Sequence, residues 1–404
     1  MVTSPALYLA LEGARPLGRG MRFSLAQATE LRIGRGKERR ATMNGAVVTL
    51  EVADPRMSAR HARFVRRGVA WYLEDLGSTN GTHLDGVAVT SRAFHKVGRL
   101  LLGTTGFVLD PDERALPGTP AILDGDDVSL LSLRPEIDRD LRAWIDAAGR
   151  GRGATVVTRP HMGEEALARE VHARAGRPGG LEIFACAGAT AADARDSAAR
   201  ARDGTLYLDG ADQLDPEAQR ALLATLPALT IFRTSSPLAS RLDFDAELLA
   251  IASGVVHELV PLRERPMDLG LLLSAILPRV AGPRAPDVRL HHDLVQAMLA
   301  HAWTQGEREL ERMVAGALAA TPEGTLRVEH VAAALQEMKL SEAPPPRPEP
   351  APREADARIR EELLLALADT QGNVSEVARR MKRTRMQIHR WMKRWDIDVD
   401  AYRR

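Results

Sequence analysis

The chain has 404 residues, of which 45% are hydrophobic and 27% are charged, and its formal charge at neutral pH is +1. Such a composition is typical of a soluble globular protein with roughly two to four domains. The single cysteine, Cys186, excludes an internal disulfide, and the longest apolar runs are too short to span a bilayer, so we expect a cytoplasmic protein without a membrane partner.

Residues 1–110 predict an all-β sandwich, because short β-branched and apolar runs alternate with Gly, Asn and Asp. Separate loops of this sandwich carry Arg35, Ser58, Thr79 and Asn80. Their side chains supply a forked cation, two hydroxyl groups and an amide, a set that suits a phosphate with close to two negative charges.

The segments that contain these residues are LRIGRG, DPRMSARHARF and DLGSTNGTHLDG. In this order and spacing they resemble a forkhead-associated (FHA) domain. The resemblance implies recognition of phosphothreonine peptides, with Arg35, Ser58 and Thr79 at the phosphate and Asn80 on the peptide chain. His61 is expected to brace the loop rather than to contact the ligand.

Two positions depart from the pattern of that family. Ala59 stands where arginine is frequent, and Asp85 stands where the last asparagine often falls. An alternative interpretation is that these loops are ordinary turns, with STNG forming a hairpin. Turn chemistry alone, however, does not require Arg35 and Ser58 as well.

Residues 111–135 are expected to form a connector, and residues 136–338 an α/β domain with a helical lid. Helical periods in the second segment are separated by the short apolar runs that buried parallel strands show. The segments TRPHMGEEALAREVH, GTLYLDGADQLDPEAQR, VPLRERPMDL and HAWTQGERELERMVAGAL occur in this range. They resemble the AAA+ domain of bacterial enhancer-binding proteins, the activators of sigma-54 RNA polymerase.

The resemblance breaks down at the residues that perform ATP chemistry in that family. Glu164 stands at the position of the phosphate-binding lysine, and Ser235 replaces the sensor asparagine. Asp209 stands at the position of the family's metal-holding acid, but Gly210 follows it at the position of the catalytic glutamate. Arg308 still matches the sensor arginine of the lid. The sequence lacks both arginine fingers and the GAFTGA loop that contacts the sigma factor.

The substitution of Glu164 has an electrostatic consequence. A carboxylate repels a triphosphate that a lysine would attract, and at a few ångströms this exchange is worth several kcal/mol even with strong screening. We therefore expect weak or absent ATP binding. The chain is predicted to have no cofactor, no metal, no catalytic residue and no enzymatic activity.

Residues 339–356 are predicted to form a Pro-rich linker, and residues 357–404 a helix-turn-helix domain. Ten Lys and Arg residues against three Asp between residues 379 and 404 give this end a local charge of +7, which suits DNA. The segment GNVSEVARRMKRTRMQIHRWMK resembles a Fis-type helix-turn-helix. The residues carried over as DNA contacts are Thr384, Arg385, Gln387, His389 and Arg390, and the predicted core residues are Val377, Ile388 and Met392.

The favoured hypothesis is a bacterial transcription regulator that binds a threonine-phosphorylated protein through its FHA domain and DNA through its C-terminal domain. Candidate partners are DNA, a Ser/Thr kinase or another phosphorylated protein, RNA polymerase, and a second copy of the chain in a homodimer. An alternative is an active ATP-dependent sigma-54 activator, which accounts for the domain order. A further alternative is a scaffold in a kinase-linked assembly.

Overall fold

The computed structural model describes residues 3–68, 70–114, 116–159, 162–241, 243–321 and 324–331, and near the C terminus residues 363, 366, 367, 370, 373–381, 388 and 392. The chain divides into one unit of Met1–Leu335 and a second of Gln336–Arg404. Each unit is described separately.

The first part of the larger unit is a β-sandwich. Its strands are β1 (Thr3–Glu12), β2 (Met21–Ser24), β3 (Glu30–Arg35), β4 (Arg40–Asn44), β5 (Val47–Val52), β6 (Ala62–Arg67), β7 (Ala70–Asp75), β8 (Thr82–Leu84), β9 (Val87–Ala88), β10 (Ser91–Phe94), β11 (Gly98–Leu102), β12 (Thr105–Arg114) and β13 (Ile122–Asp124). One sheet has the order β13-β2-β1-β12-β11-β8-β9 and the other the order β10-β7-β6-β3-β5-β4.

The alternation of apolar and polar residues decides which face of each strand is buried. In β3, Leu31 and Ile33 are buried while Arg32 and Arg35 are exposed. The inward-facing side chains of both sheets form one hydrophobic core that includes Phe23, Leu50, Phe64 and Leu109 among its members. The predicted β-sandwich is therefore present.

The sandwich extends beyond residue 110, where the connector was expected to begin. Strand β12 continues to Arg114, and β13 pairs with β2 within the predicted connector, residues 111–135. The reason is a buried ion pair: Glu113, near the end of β12, accepts hydrogen bonds from Nε (2.6 Å) and Nη2 (2.5 Å) of Arg22 on β2. This pair fixes the end of β12 inside the protein, which sequence periodicity does not reveal.

The next part is an α/β domain with a parallel sheet in the order β15-β16-β17-β14-β18. Its elements are α1 (Pro135–Arg150), β14 (Gly153–Val157), α2 (Glu164–Ala175), β15 (Leu181–Ala185), α3 (Ala191–Arg200), β16 (Thr205–Asp209), α4 (Pro216–Leu223), β17 (Leu229–Thr234), α5 (Ala246–Ala252) and β18 (Val256–Glu258). Strands β14, β16 and β17 are almost wholly buried, as expected for a parallel sheet that is covered on both faces.

A helical segment completes this unit, as the sequence predicts. It comprises α6 (Leu269–Ala281), β19 (Arg289–Leu290), α7 (His292–Ala300), α8 (Gly306–Ala320) and β20 (Thr325–Leu326). Helix α7 packs against the sandwich: a Cβ on Gly106 of β12 would lie only 2.6 Å from Cδ1 of Leu299. The sandwich therefore contacts the helical segment directly.

In the second unit, helix α9 (Val374–Arg380) is capped by Asn373, whose side chain accepts hydrogen bonds from the backbone N–H groups of Ser375 and Glu376. The predicted core residues Val377, Ile388 and Met392 are buried together, which confirms that prediction. The predicted DNA contacts Thr384, Arg385, Gln387, His389 and Arg390 lie outside the described residues. Of the helices that the structure describes, none has the length and apolar character needed to cross a membrane.

Candidate functional sites

Arg35 and Ser58 are brought together by a close approach of two backbone segments. The N–H group of Arg35, at the end of β3, donates a 2.9 Å hydrogen bond to the carbonyl of Ser58 in the β5–β6 loop. Gly34 makes this approach possible, because a Cβ there would lie only 2.0 Å from the carbonyl oxygen of Ala59. Arg35 is exposed and Ser58 is half-buried, so both side chains border the surface.

The β7–β8 loop brings Thr79 and Asn80 to the same place. The N–H group of Thr79 donates to Oγ of Ser58 over 3.1 Å, and the two hydroxyl oxygens are 3.4 Å apart. Nδ2 of Asn80 donates to the carbonyl of Arg56 over 2.7 Å. The predicted residues thus converge on one edge of the sandwich from separate loops.

His61 lies behind this edge and is fully buried. Its Nδ1 accepts a hydrogen bond from the N–H of Ser58 (3.1 Å), and its Nε2 lies 3.2 Å from the carbonyl of Gly81. Burial lowers the pKa of the imidazole despite that backbone hydrogen bond, so the ring is neutral at pH 7. The prediction that His61 braces the loop is confirmed.

The second site is a cleft between the α/β domain and α8. The loop before α2 adopts a left-handed conformation at Gly163 (φ 95°), and Oε2 of Glu164 accepts a 2.6 Å hydrogen bond from the N–H of Met162. Glu164 is 5% exposed. The carboxylate therefore turns back on its own loop and engages one of the backbone N–H groups there.

Asp209 at the end of β16 is also engaged internally. Arg233 is its partner in register on the neighbouring strand β17, and its Nε and Nη2 lie 2.7 Å and 2.5 Å from Oδ1 of Asp209. The Arg233 side chain is 3% exposed. Sequence reasoning missed this pairing, although an arginine within the apolar run LTIFRT was an available signal.

Gly210 follows with a left-handed backbone (φ 87°), and a Cβ there would lie 3.2 Å from Nη2 of Arg233. A larger residue would be strained at this position and would crowd the ion pair. The segment between β15 and β16 is the one in which the sequence has no GAFTGA loop. All of its residues are described, and they form α3 and short turns. Ser235 donates its backbone N–H to Asp212 (3.2 Å), and Arg308 lines the cleft.

Helix α8 adds further carboxyl groups to this cleft. A Cβ on Gly163 would lie 2.2 Å from Oε1 of Glu307, so this carboxyl group abuts the loop before α2. Burial raises the pKa of Glu307 to about 7; Arg265 opposes this effect and Glu164 reinforces it. The described acidic residues that line the cleft are Glu164, Glu165, Asp209, Glu307 and Glu311. Among the described residues, no cluster of His, Cys, Asp and Glu has an arrangement that could hold a metal ion.

Comparisons with known proteins identify two parts of the chain. Residues 31–103 match the family model of the FHA domain. These residues form an FHA domain. Residues 263–347 match the model of an AAA+ ATPase lid domain, so the helical segment is an AAA+ lid.

Individual relatives cover only parts of the chain. The protein FhaB of Mycobacterium tuberculosis is 47% identical over 64 residues, which span 16% of this chain and 41% of FhaB. The crystal structure of NtrX from Brucella abortus with ADP is similar over 65% of this chain and 69% of its own, with 20% identity and a TM-score of 0.44. EmbR of Mycobacterium tuberculosis, crystallised with a low-affinity phosphopeptide, is similar over 28% and 26%, with 19% identity and a TM-score of 0.21.

Two carboxylates support the recognition loops of the FHA domain, which are the β5–β6 and β7–β8 loops. Sequence reasoning did not identify either carboxylate. Asp54, fully buried, accepts hydrogen bonds from the hydroxyl groups of Thr104 and Thr105 and from the N–H of Arg56. Asp75 does the same for the β7–β8 loop; burial opposes its ionisation, but hydrogen bonds from Ser78 and neighbouring groups outweigh burial and lower its pKa. Asx-turn signals, DP and DLGS, were the available clue.

The departures of this FHA domain from the family pattern have simple local explanations. Asp85 lies in a left-handed turn (φ 50°), a conformation that asparagine and aspartate tolerate better than other residues, and its Oδ1 accepts the N–H of Arg99 over 3.0 Å. Ala59 is exposed and contributes to the close approach through its backbone. The side chain of Asp85 therefore stabilises its own left-handed turn.

Proposed function

We propose that this chain is a bacterial transcription regulator that docks a threonine-phosphorylated protein on its FHA domain and binds DNA through its C-terminal end. In this proposal the AAA+-like domain neither binds ATP productively nor hydrolyses it. The observation that carries the proposal is the convergence of Arg35, Ser58, Thr79 and Asn80 on one exposed edge of the FHA domain.

The chemistry of this edge suits a phosphothreonine. A guanidinium group forms charge-assisted, often bidentate hydrogen bonds to a phosphate, and the hydroxyl groups of Ser58 and Thr79 add neutral donors. In this proposal the amide of Asn80, whose Nδ2 already donates to the Arg56 carbonyl, uses its second N–H and its oxygen to bind the backbone of a peptide that leaves the phosphate. A cation, two hydroxyl groups and an amide are the groups that a phosphate-binding site uses.

The Arg35→Ala variant tests this assignment. Loss of a charge-assisted contact is expected to cost about 2–3 kcal/mol, which is roughly a 30- to 150-fold loss of affinity for a phosphothreonine peptide. Arg92→Ala is the matched control, because Arg92 is an exposed arginine on β10 of the same domain. Fluorescence anisotropy with labelled peptides measures the effect. Undiminished phosphopeptide affinity in the Arg35 variant would contradict the site.

Two internal contacts support the absence of ATP chemistry. Magnesium nucleotide needs free backbone donors and a free carboxylate, whereas Glu164 engages the N–H of Met162 and Arg233 engages Asp209. The residues of the cleft therefore do not fit a magnesium nucleotide. Titration of the intact chain with a fluorescent ATP analogue and magnesium tests this, and saturable binding at micromolar concentration would favour the sigma-54 activator alternative.

DNA binding is supported by the local charge of +7 between residues 379 and 404 and by the capped helix α9 with its buried apolar residues. Thr384, Arg385, Gln387, His389 and Arg390 remain the predicted contacts. Genome-wide DNA pull-down with the intact chain and with Arg385→Ala distinguishes a promoter-binding regulator from a scaffold. Equal recovery of the same DNA by both forms would contradict the assignment of Arg385.

A further inference from the structure

The lid reaches the recognition loops of the FHA domain through a short path of backbone contacts. The N–H of Gly13 donates to the carbonyl of Thr104 over 2.9 Å, and the N–H of Leu290 on β19 donates to the carbonyl of Gly13 over 2.8 Å. A Cβ on Gly13 would lie within 2.7 Å of both Thr104 O and Leu290 O. Gly13 thus connects the β11–β12 turn of the sandwich with strand β19 of the lid.

The other side of that turn contacts the β5–β6 loop. A Cβ on Gly103 would lie 2.8 Å from Oδ2 of Asp54 and 3.0 Å from the carbonyl carbon of Arg56. His292, the first residue of α7, follows Leu290 by two positions. The start of α7 is therefore a neighbour of Arg56, whose Nη2 is 3.2 Å from Oδ1 of Asn80.

Basic side chains of the lid and of the FHA domain lie close enough to interact electrostatically, since Arg56 and His83 both act on His292. Cε1 of His83 would lie 3.4 Å from a Cβ on Gly81, next to Asn80. The imidazole of His292 is half-buried and lies against that of His291, with 4.1 Å between ring centroids. Burial lowers the pKa of His292, and nearby His291, Arg56 and His83 lower it further, whereas Asp293 opposes the change.

Asp293, the acidic residue that opposes this change, is already paired with His291. Oδ1 of Asp293 lies 2.8 Å from Nδ1 of His291. A protonated His292 would therefore share Asp293 with His291, while Arg56 and His83 repel it. An anionic side chain placed between these groups would relieve their mutual repulsion, because opposite charges within a few ångströms attract and like charges repel.

We propose that the phosphothreonine site extends onto the AAA+ lid, where His292, together with Arg56 and His83, receives an acidic side chain that flanks the phosphothreonine on the side of Asn80. This inference rests on the proposed phosphopeptide function. It makes the lid a specificity-determining part of the site, so that partner selection depends on two domains rather than on the FHA domain alone.

The experiment compares phosphothreonine peptides that carry glutamate or glutamine at each flanking position in turn, bound to the intact chain. The wild-type chain is expected to prefer one glutamate peptide by about two- to fivefold, the range for a partly exposed ion pair. The preference should grow as the pH falls from about 7 to about 5, because the pKa of His292 is lowered below the ordinary imidazole value. The glutamine peptide carries the same phosphate group. Comparison with it therefore corrects for the change in affinity caused by titration of the phosphate.

Three variants separate the outcomes. His292→Ala should lose the pH-dependent part of the preference, His292→Lys should keep the preference at every pH, and the control His95→Ala, at an exposed FHA position, should behave as wild type. A preference that responds to pH equally in wild type and His292→Ala overturns the inference. Failure of every phosphopeptide to bind overturns the proposed function itself. That outcome differs from failure of the lid inference, in which the phosphopeptides still bind.

Discussion

The ion pair between Asp209 and Arg233 predicts an asymmetric response to mutation. In Asp209→Asn, the Arg233 guanidinium stays charged and 3% exposed without its counter-ion. Breaking a buried pair in this way costs about 3–5 kcal/mol, and because Asp209 is 34% exposed we expect a value near 3 kcal/mol. In Arg233→Met, water can hydrate the remaining carboxylate, so the expected loss is about 1 kcal/mol.

Urea unfolding of the intact chain, followed by fluorescence, measures this difference. Trp144 on α1 is buried in the hydrophobic core of the same α/β domain and reports on its unfolding. The double variant Asp209→Asn, Arg233→Met should recover about 2 kcal/mol relative to Asp209→Asn, because it removes the unpaired charge together with its partner. If Asp209 instead belongs to a metal site with no internal counter-ion, neutralising it should leave stability unchanged or raise it. That result would refute the reasoning.

The remaining predictions concern two other carboxyl groups. Asp54→Ala removes the acceptor for Thr104 and its neighbours in a fully buried place, so we expect a loss of about 3 kcal/mol in unfolding free energy and weaker phosphopeptide binding; an unchanged melting temperature would contradict this role. Glu307 holds its proton to about pH 7 in the folded chain but only to its ordinary pKa of 4.5 when unfolded. Stability should therefore fall by up to about 3 kcal/mol as the pH rises through that window, and Glu307→Gln should flatten the profile in urea unfolding at each pH.

Local patterns carried enough information for most of the architecture. Alternation in β3 and continuous burial in β14, β16 and β17 follow directly from the apolar positions in the sequence. The recognition residues Arg35, Ser58, Thr79 and Asn80 were also recoverable, because their residue types and spacing are unusual for ordinary turns. The structure adds that Gly34 and His61 hold these loops together.

The features that the sequence did not predict depend on contacts between residues that are far apart in the chain. Arg233 meets Asp209 because β16 and β17 pair with these two residues side by side, a relation that neither segment encodes alone. Strand β13 was missed for the same reason, since it is short and exists only by pairing with β2. The packing of α7 on the sandwich likewise depends on Gly106 meeting Leu299 across nearly two hundred residues.

The same chemical device, a carboxylate that accepts loop N–H groups, has opposite consequences at the two sites. Asp54 lies behind the FHA recognition loop, where it is fully buried and bonded to Thr104, so the exposed hydroxyl of Thr79 and the guanidinium of Arg35 stay available to an anion. Glu164 instead engages an N–H of the loop at which a phosphate would have to bind. An internal carboxylate thus preorganises anion binding when it supports a loop from its buried side, and competes with an anion when it uses the same donors. This difference in placement is the physical reason for proposing that the chain binds phosphate at its FHA domain and not in its central domain.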